Sequence, residues 1–410
     1  MSRLIYFEIR KSYLCRNMVV FFAVLAFINI AYIFGEWRFG MKDQDAVVTP
    51  YNITANCYSY YCSMHNLYDG KITKEKVTAL NKKYDALYNE IEDGTYSREY
   101  DAKRETGHVF GDYYYTEKYF YIPMKYSVMY SKNMESVLDE IGEKIEDYRQ
   151  EENQVNQQKY EYLYYAYSGR HIDSFYETSG WNYLYNYRFS DLLILILLLF
   201  GIIPMFCNEK MNGMYYVILS NPKGKQNYNI CKFISILIYS FVISILFQGV
   251  NFLCITNLFH LQGGNRPLYC IQEYQYTNLN CNLITFYFFI SGLKILGFMV
   301  VGGIMGGVSR IMKGIVSSYL CNLAFILIGL YCSGFVEAEE KGNQLLAIIS
   351  PITILKGNQL YSKVLDYSIG NHYFIRGNIC ILIQVGILLV LLGISIGKTI
   401  RRSVGDKNGK

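Results

Sequence analysis

Residues 283–304 read LITFYFFISGLKILGFMVVGGI, 22 positions with a single charged side chain, Lys294. As a helix the stretch rises about 33 Å, enough to cross a hydrocarbon core of about 30 Å, and a charge-poor run longer than about 18 residues marks a transmembrane helix. Five more such runs lie on either side of it: Met18 to Phe34, Leu192 to Phe206, Phe233 to Ile255, Ile315 to Phe335 and Ile379 to Ile396. They predict spans at 18–35, 191–207, 233–255, 283–305, 314–335 and 378–397. Pro204 lies near the end of the second, where neighbouring helices can satisfy the freed carbonyl, so that run stays a span. The expected fold class is mainly α: a polytopic membrane protein with six transmembrane helices, the last five within 190–397. An N-terminal interfacial helix (1–17) precedes the first span and a large extracellular domain (36–189) follows it.

The net charge of +5 becomes informative when sorted by segment, because topology follows Lys and Arg in short loops. Arg3, Arg10, Lys11 and Arg16 precede the first span, and Lys210, Lys223, Lys225 and Lys232 lie between the second and third. Arg310 and Lys313 join the fourth to the fifth, and Lys398, Arg401, Arg402, Lys407 and Lys410 close the chain. All four segments fall on one side, whereas Thr256 to Asn282, on the other, carries only Arg266. Both termini, the loop 208–232 and the tail 398–410 are therefore expected in the cytoplasm, and the segment 336–377 outside. The first apolar run is too long for a cleavable signal and no small-residue cleavage pattern follows it, so it is expected to remain as an anchor. Many lysines, few prolines and a short basic tail point to a bacterial plasma membrane.

The stretch 36–188 is polar and holds most of the 42 tyrosines. Thr73 to Asp93 places Val77, Leu80, Tyr84, Leu87 and Ile91 on one face of a helix ended by Gly94, and Asn133 to Tyr165 repeats the pattern through Met134, Val137, Ile141 and Ile145. Between them the aromatic segment His108 to Tyr130 favours strand or irregular packed structure, in a domain that is otherwise mainly helical. The tyrosines read first as core and interface residues, with a ligand site the lesser alternative. Trp181, Tyr183, Tyr185 and Tyr187 precede the second span, where an aromatic belt is expected. Topology puts Cys57, Cys62, Cys270 and Cys281 outside, which makes Cys57–Cys62 and Cys270–Cys281 candidate disulfides.

An energy source is not visible in this chain. Gly393 to Thr399 (GISIGKT) ends like a phosphate-binding loop, but has three residues between its glycines and finishes a membrane helix, without the preceding strand that such a loop needs. His65, His108, His171, His260 and His372 are scattered, and no metal site is assigned. No nucleophile elbow or His-Glu-x-x-His pair points to a hydrolase, and the basic residues show no nucleic-acid pattern. Lys294 is the one intramembrane ion. It faces a carboxylate, other helices or an aqueous cavity, or else snorkels outward; the first reading makes it a candidate pathway residue.

Residues 208–232 read NEKMNGMYYVILSNPKGKQNYNICK. The composition is that of a short amphipathic helix stopped at Ser220 by Asn221-Pro222 and returned to the membrane at Gly224, with apolar residues that need something to dock against. Here the chain resembles the permease (transmembrane) subunits of type-2 exporter-class ATP-binding cassette (ABC) transporters. The resemblance rests on Glu209, Gly213, Met214, Leu219, Pro222, Lys225 and Lys232 in this coupling loop, with Lys225 where the family more often has arginine. It extends to the elbow-like MSRLIYFEIRKSYLCRN, whose Ile5, Tyr6, Ile9 and Tyr13 can face lipid, and to LLAIISPITIL (Leu345 to Leu355), similar to the family's outer re-entrant element with Pro351 at its centre. It covers the membrane part and not the large outer domain. It implies a dimer with a second permease, surrounded by lipid, no enzyme activity or cofactor on this chain, and ATP and Mg on a separate cytoplasmic ATPase subunit. The apolar spans carry no code that selects among peptides, antimicrobial compounds, lipids and ions. The alternative is a membrane-anchored sensor or envelope-interaction protein that uses the extracellular domain without transport.

Overall fold

A computed structural model describes residues 2–48, 57–95, 101–220, 222–312, 314–369 and 372–405. The side chains of Cys57, Leu219, Pro222 and Lys225 lie outside the described residues. Six helices are long and apolar enough to cross a membrane: Arg16–Arg38, Ser179–Met211, Asn227–Leu258, Leu283–Ile311, Ile315–Phe335 and Arg376–Ile396. This is the architecture of a multi-pass α-helical membrane protein, and the six fall on the six apolar runs.

The spans divide by burial. In the second, third and fourth, 72, 56 and 61 % of the apolar stretch is buried, against 17, 22 and 17 % in the first, fifth and sixth. The inner three can pack closely because the fourth presents small residues. A Cβ on Gly306 would come within 2.6 Å of Ile236 and one on Gly302 within 2.5 Å of Ser240, so the third span lies almost on the backbone of the fourth. Close backbone approach of this kind is the usual basis of helix association in lipid, where apolar burial alone gives little drive. The outer spans turn Phe27, Leu320, Leu327 and Leu382 outward, as a lipid-facing surface requires.

Several boundaries moved. The third span's helix begins at Pro222 and runs unbroken to Leu258, so the expected turn at Gly224 is helical instead. Proline at the first helical position has its φ already set and loses no hydrogen bond, so Pro222 starts this helix rather than closing the preceding one. Residues 393–399 continue the helix Arg376–Gly405.

The polar domain is helical. Lys74–Glu92 begins where Thr73 accepts from the Lys76 N–H, and Gly94 follows its C-cap Asp93 with φ +63°. The expected helix over 133–165 is two, Ile122–Gln150 and Gln154–Tyr167, divided at Glu152 (φ 55°) and recapped by Asn153. The aromatic segment corrects the sequence reading: Val109–Tyr115 is α, Thr116–Tyr121 is a π-helical turn, and the next helix follows directly. Its rings are spent on a common core of Tyr60, Tyr61, Met64, Tyr115, Phe120 and Phe175. Packing of that kind overrides a weak intrinsic strand preference. Among the described residues strands pair at Gly70–Lys71 with Ser174–Phe175 and at Asp366–Ile369 with His372–Ile375, with one isolated bridge between Pro267 and Asn282.

Candidate functional site

Lys294 is buried and paired. Its Nζ lies 2.9 Å from Asp191 Oδ2 and 3.2 Å from Oδ1, and donates to the Tyr187 carbonyl at 3.1 Å. Of the two readings of this lysine, the buried carboxylate partner is the one realised, since only 5 % of its side chain is exposed. The pair is the end of a polar layer across four spans. The Tyr187 hydroxyl donates to Asn29 Oδ1 (2.7 Å), the Asn29 amide to Asn251 Oδ1 (2.7 Å), and the Asn251 amide to Ser190 Oγ (2.8 Å). Each donor has a partner, which a buried polar group in an apolar surround needs.

A second ionic cluster closes the opposite ends of the spans. Glu209 receives Lys11 Nζ at 2.8 Å, Lys232 Nζ at 2.8 Å and the Tyr228 hydroxyl at 2.9 Å, while Lys232 also reaches the Met205 carbonyl at 2.5 Å and Glu8 at 3.7 Å. Burial pushes the Glu8 carboxyl above its usual range, against the pull of Lys232. The residue next to Glu209 holds a different helix: Lys210 Nζ donates to the carbonyls of Ser309 (3.2 Å), Arg310 (2.6 Å) and Met312 (2.6 Å) at the C-terminal end of the fourth span. A cation there also meets the negative end of the helix dipole. The helix Ser2–Ser12 is thereby fastened to the second and third spans. Tyr13 does not face outward as its spacing suggested; it stacks on Tyr239 at 3.9 Å between centroids.

Of the loop residues, Glu209 and Lys232 are therefore internal, 4 and 1 % exposed. The exposed ones follow. Gly213, with φ +70°, turns the chain into the helix Met214–Ser220, which presents Met214, Tyr216 and Val217 outward at 48, 72 and 62 % exposure.

Pro351 breaks the chain between the helix Lys341–Ile349 and a 3₁₀ turn Thr353–Lys356. The element is buried among the spans, Ile354 and Leu355 lying where a Cβ on Gly297 would fall and Ile352 against Gly329, with Ser350 donating to the Gly329 carbonyl at 3.1 Å. Cys62, Cys270 and Cys281 carry free thiols, so the expected Cys270–Cys281 bridge is not formed. Burial pushes both of those thiols up to about 11, which keeps them protonated and slow to oxidise.

No known family, curated protein or solved structure matches this chain. Sequence reading found Lys294, Glu209 and Lys232 but not the residues that answer them. Asp191, Asn29 and Asn251 carried no reading of their own; the only signal was that each sits inside or at the edge of an apolar run. Among the described residues no group of three His, Cys, Asp or Glu side chains is placed to hold a metal ion.

Proposed function

We propose that the chain is the permease subunit of an ATP-driven exporter of the type-2 ABC class, working in a bacterial plasma membrane with both termini in the cytoplasm. Two such permeases enclose the pathway, and a separate ATPase that carries ATP and Mg docks at 208–232. The observation that carries this reading is the helix Met214–Ser220. Its apolar side chains stand free at the end of the second span, directly after two residues that fasten that span to its neighbours. An exposed apolar patch next to a rigid connection suits a partner that must push on the membrane helices. ATP-driven closure of the ATPase subunits then turns the second, third and fourth spans through this contact.

The test separates docking from folding. Tyr216→Ser with Val217→Ser leaves the thermal midpoint of the purified chain unchanged and removes both co-purification of the ATPase and substrate-stimulated ATP hydrolysis. Normal coupling in that variant rules the assignment out. Glu209→Ala is a poorer probe, because it leaves Lys232 buried without its carboxylate.

A sensor or envelope-binding role draws support from one feature. A polar cavity of about 790 Å³, lined by Arg170, His171, Arg266 and Asn280, lies between the polar domain and the segment joining the third and fourth spans. A chain that binds a ligand there and recruits no ATPase is the sensor.

A further inference from the structure

A second cavity, of about 620 Å³, opens at the start of the second span between it, the first and fifth spans and the Pro351 element. Its volume is that of an ordinary small-ligand site. The floor is apolar, made by Leu195, Leu330, Ile352 and Leu355, and the mouth is charged, with Arg188, Lys356, Glu36 and Asp191. Along the helix, Arg188 and Leu195 are about 10 Å apart, so the site has a polar end and a hydrocarbon end.

The charges at the mouth do not cancel. Asp191 is neutralised by Lys294. That leaves Glu36 against Arg188 and Lys356, an excess of one positive charge. The Lys356 ammonium spends one donor on the Ser333 carbonyl at 2.7 Å and has two more. Arg188 and Lys356 line the same cavity, and two like charges there gain from an anion between them. Among the described residues nothing forms a hydrogen bond or ion pair with the Arg188 guanidinium. Its nearest opposing charge is Asp191, which Lys294 already holds at 2.9 Å, so the guanidinium fork, which matches two oxygens of a phosphate or carboxylate, keeps its donors for an anion in the cavity.

We propose that this cavity binds a phosphate-headed glycerolipid, with Arg188 and Lys356 on the phosphate and an acyl chain against Leu195 and Ile352. One net positive charge matches one phosphodiester, and the apolar floor excludes free phosphate as the natural occupant. The site does not depend on transport or on any ATPase. It asks only that the mouth lie at the level of the lipid headgroups, where Tyr183 and Tyr187 already form an aromatic cluster with Tyr32 and Phe189.

Native mass spectrometry of the full chain in detergent, reloaded with phosphatidylglycerol, phosphatidylethanolamine or diacylglycerol, tests it. The chain retains the two phospholipids and loses diacylglycerol; retention of phosphatidylethanolamine equal to that of phosphatidylglycerol places its ammonium at Glu36 and supports phosphate recognition all the same. Arg188→Gln with Lys356→Gln lowers phosphatidylglycerol retention about tenfold, the effect of losing one or two charge-assisted hydrogen bonds. Leu195→Trp fills the floor and lowers retention of both phospholipids with the charges untouched. Diacylglycerol held as firmly as phosphatidylglycerol, or undiminished retention in either variant, overturns the proposal.

Discussion

A charge buried in an apolar surround is tolerated only with its partner in place, and the Lys294–Asp191 pair puts a magnitude on that rule. Removing one member of a buried pair costs about 3–5 kcal/mol, whereas replacing both by neutral side chains is often close to neutral. Lys294→Met is therefore expected to lower the thermal midpoint of the detergent-solubilised chain sharply, and Lys294→Met combined with Asp191→Asn to recover most of the loss. Scanning fluorimetry of the three proteins decides it; an unchanged midpoint in the single variant would mean the pair does not hold the helices. The lysine was legible because it is the one charged side chain among 22 positions of a predicted span. Its partner was not, because Asp191 lies 103 residues earlier in the chain and only the packing of the second span on the fourth brings the two together. Glu209 was legible as a conspicuous acid at the end of a span, but not its partners Lys11 and Lys232, which fasten helices of its own chain.

Whole elements were read well where spacing alone decides and poorly where aromatic rings do. The helix Lys74–Glu92 has its cap, its apolar face and its terminating glycine written in order. The stretch 108–121 has none of these, and folds as α and then π helix because its rings have a shared core to enter. What anchors the start of that helix is Asp112, whose Oδ1 accepts from the Thr106 N–H at 2.9 Å and the Thr106 hydroxyl at 2.7 Å. Burial pushes the Asp112 carboxyl up, and the Thr106 hydrogen bonds only partly offset this. A carboxyl raised by folding holds its proton more tightly in the folded chain. Its contribution is thus fully present below the usual carboxylate range and lost as pH rises through the raised value. Asp112→Asn keeps an acceptor for Thr106 and carries no charge. Its thermal midpoint is expected to fall less than the parent's across that window; parallel pH profiles would remove Asp112 from the account.

At the scale of the molecule, the proposed topology of six crossings puts the helix Ser2–Ser12 on one side of the membrane and the polar domain on the other. An impermeant maleimide applied to intact cells is expected to label Lys103→Cys, which is exposed in the polar domain, and to label Ser2→Cys only after the membrane is opened. The reverse pattern inverts the topology and moves the helix Met214–Ser220 out of reach of any cytoplasmic partner. The division into three buried and three outer spans was not visible in hydropathy, because lipid-facing and helix-facing residues are equally apolar. It needed the small residues of the fourth span to be matched with the side chains that fill them.

Lys210 sets a limit on how such a molecule can move. With its ammonium on three carbonyls of the fourth span and Glu209 holding the third span and the N-terminal helix, four elements meet at one knot. A torque applied at Met214–Ser220 is transmitted to all of them at once and cannot slide one past another without breaking several charge-assisted bonds. On the proposed reading, opening tilts this assembly against the outer spans, and the boundary where the first and fifth meet it is the wall of the cavity beneath Arg188.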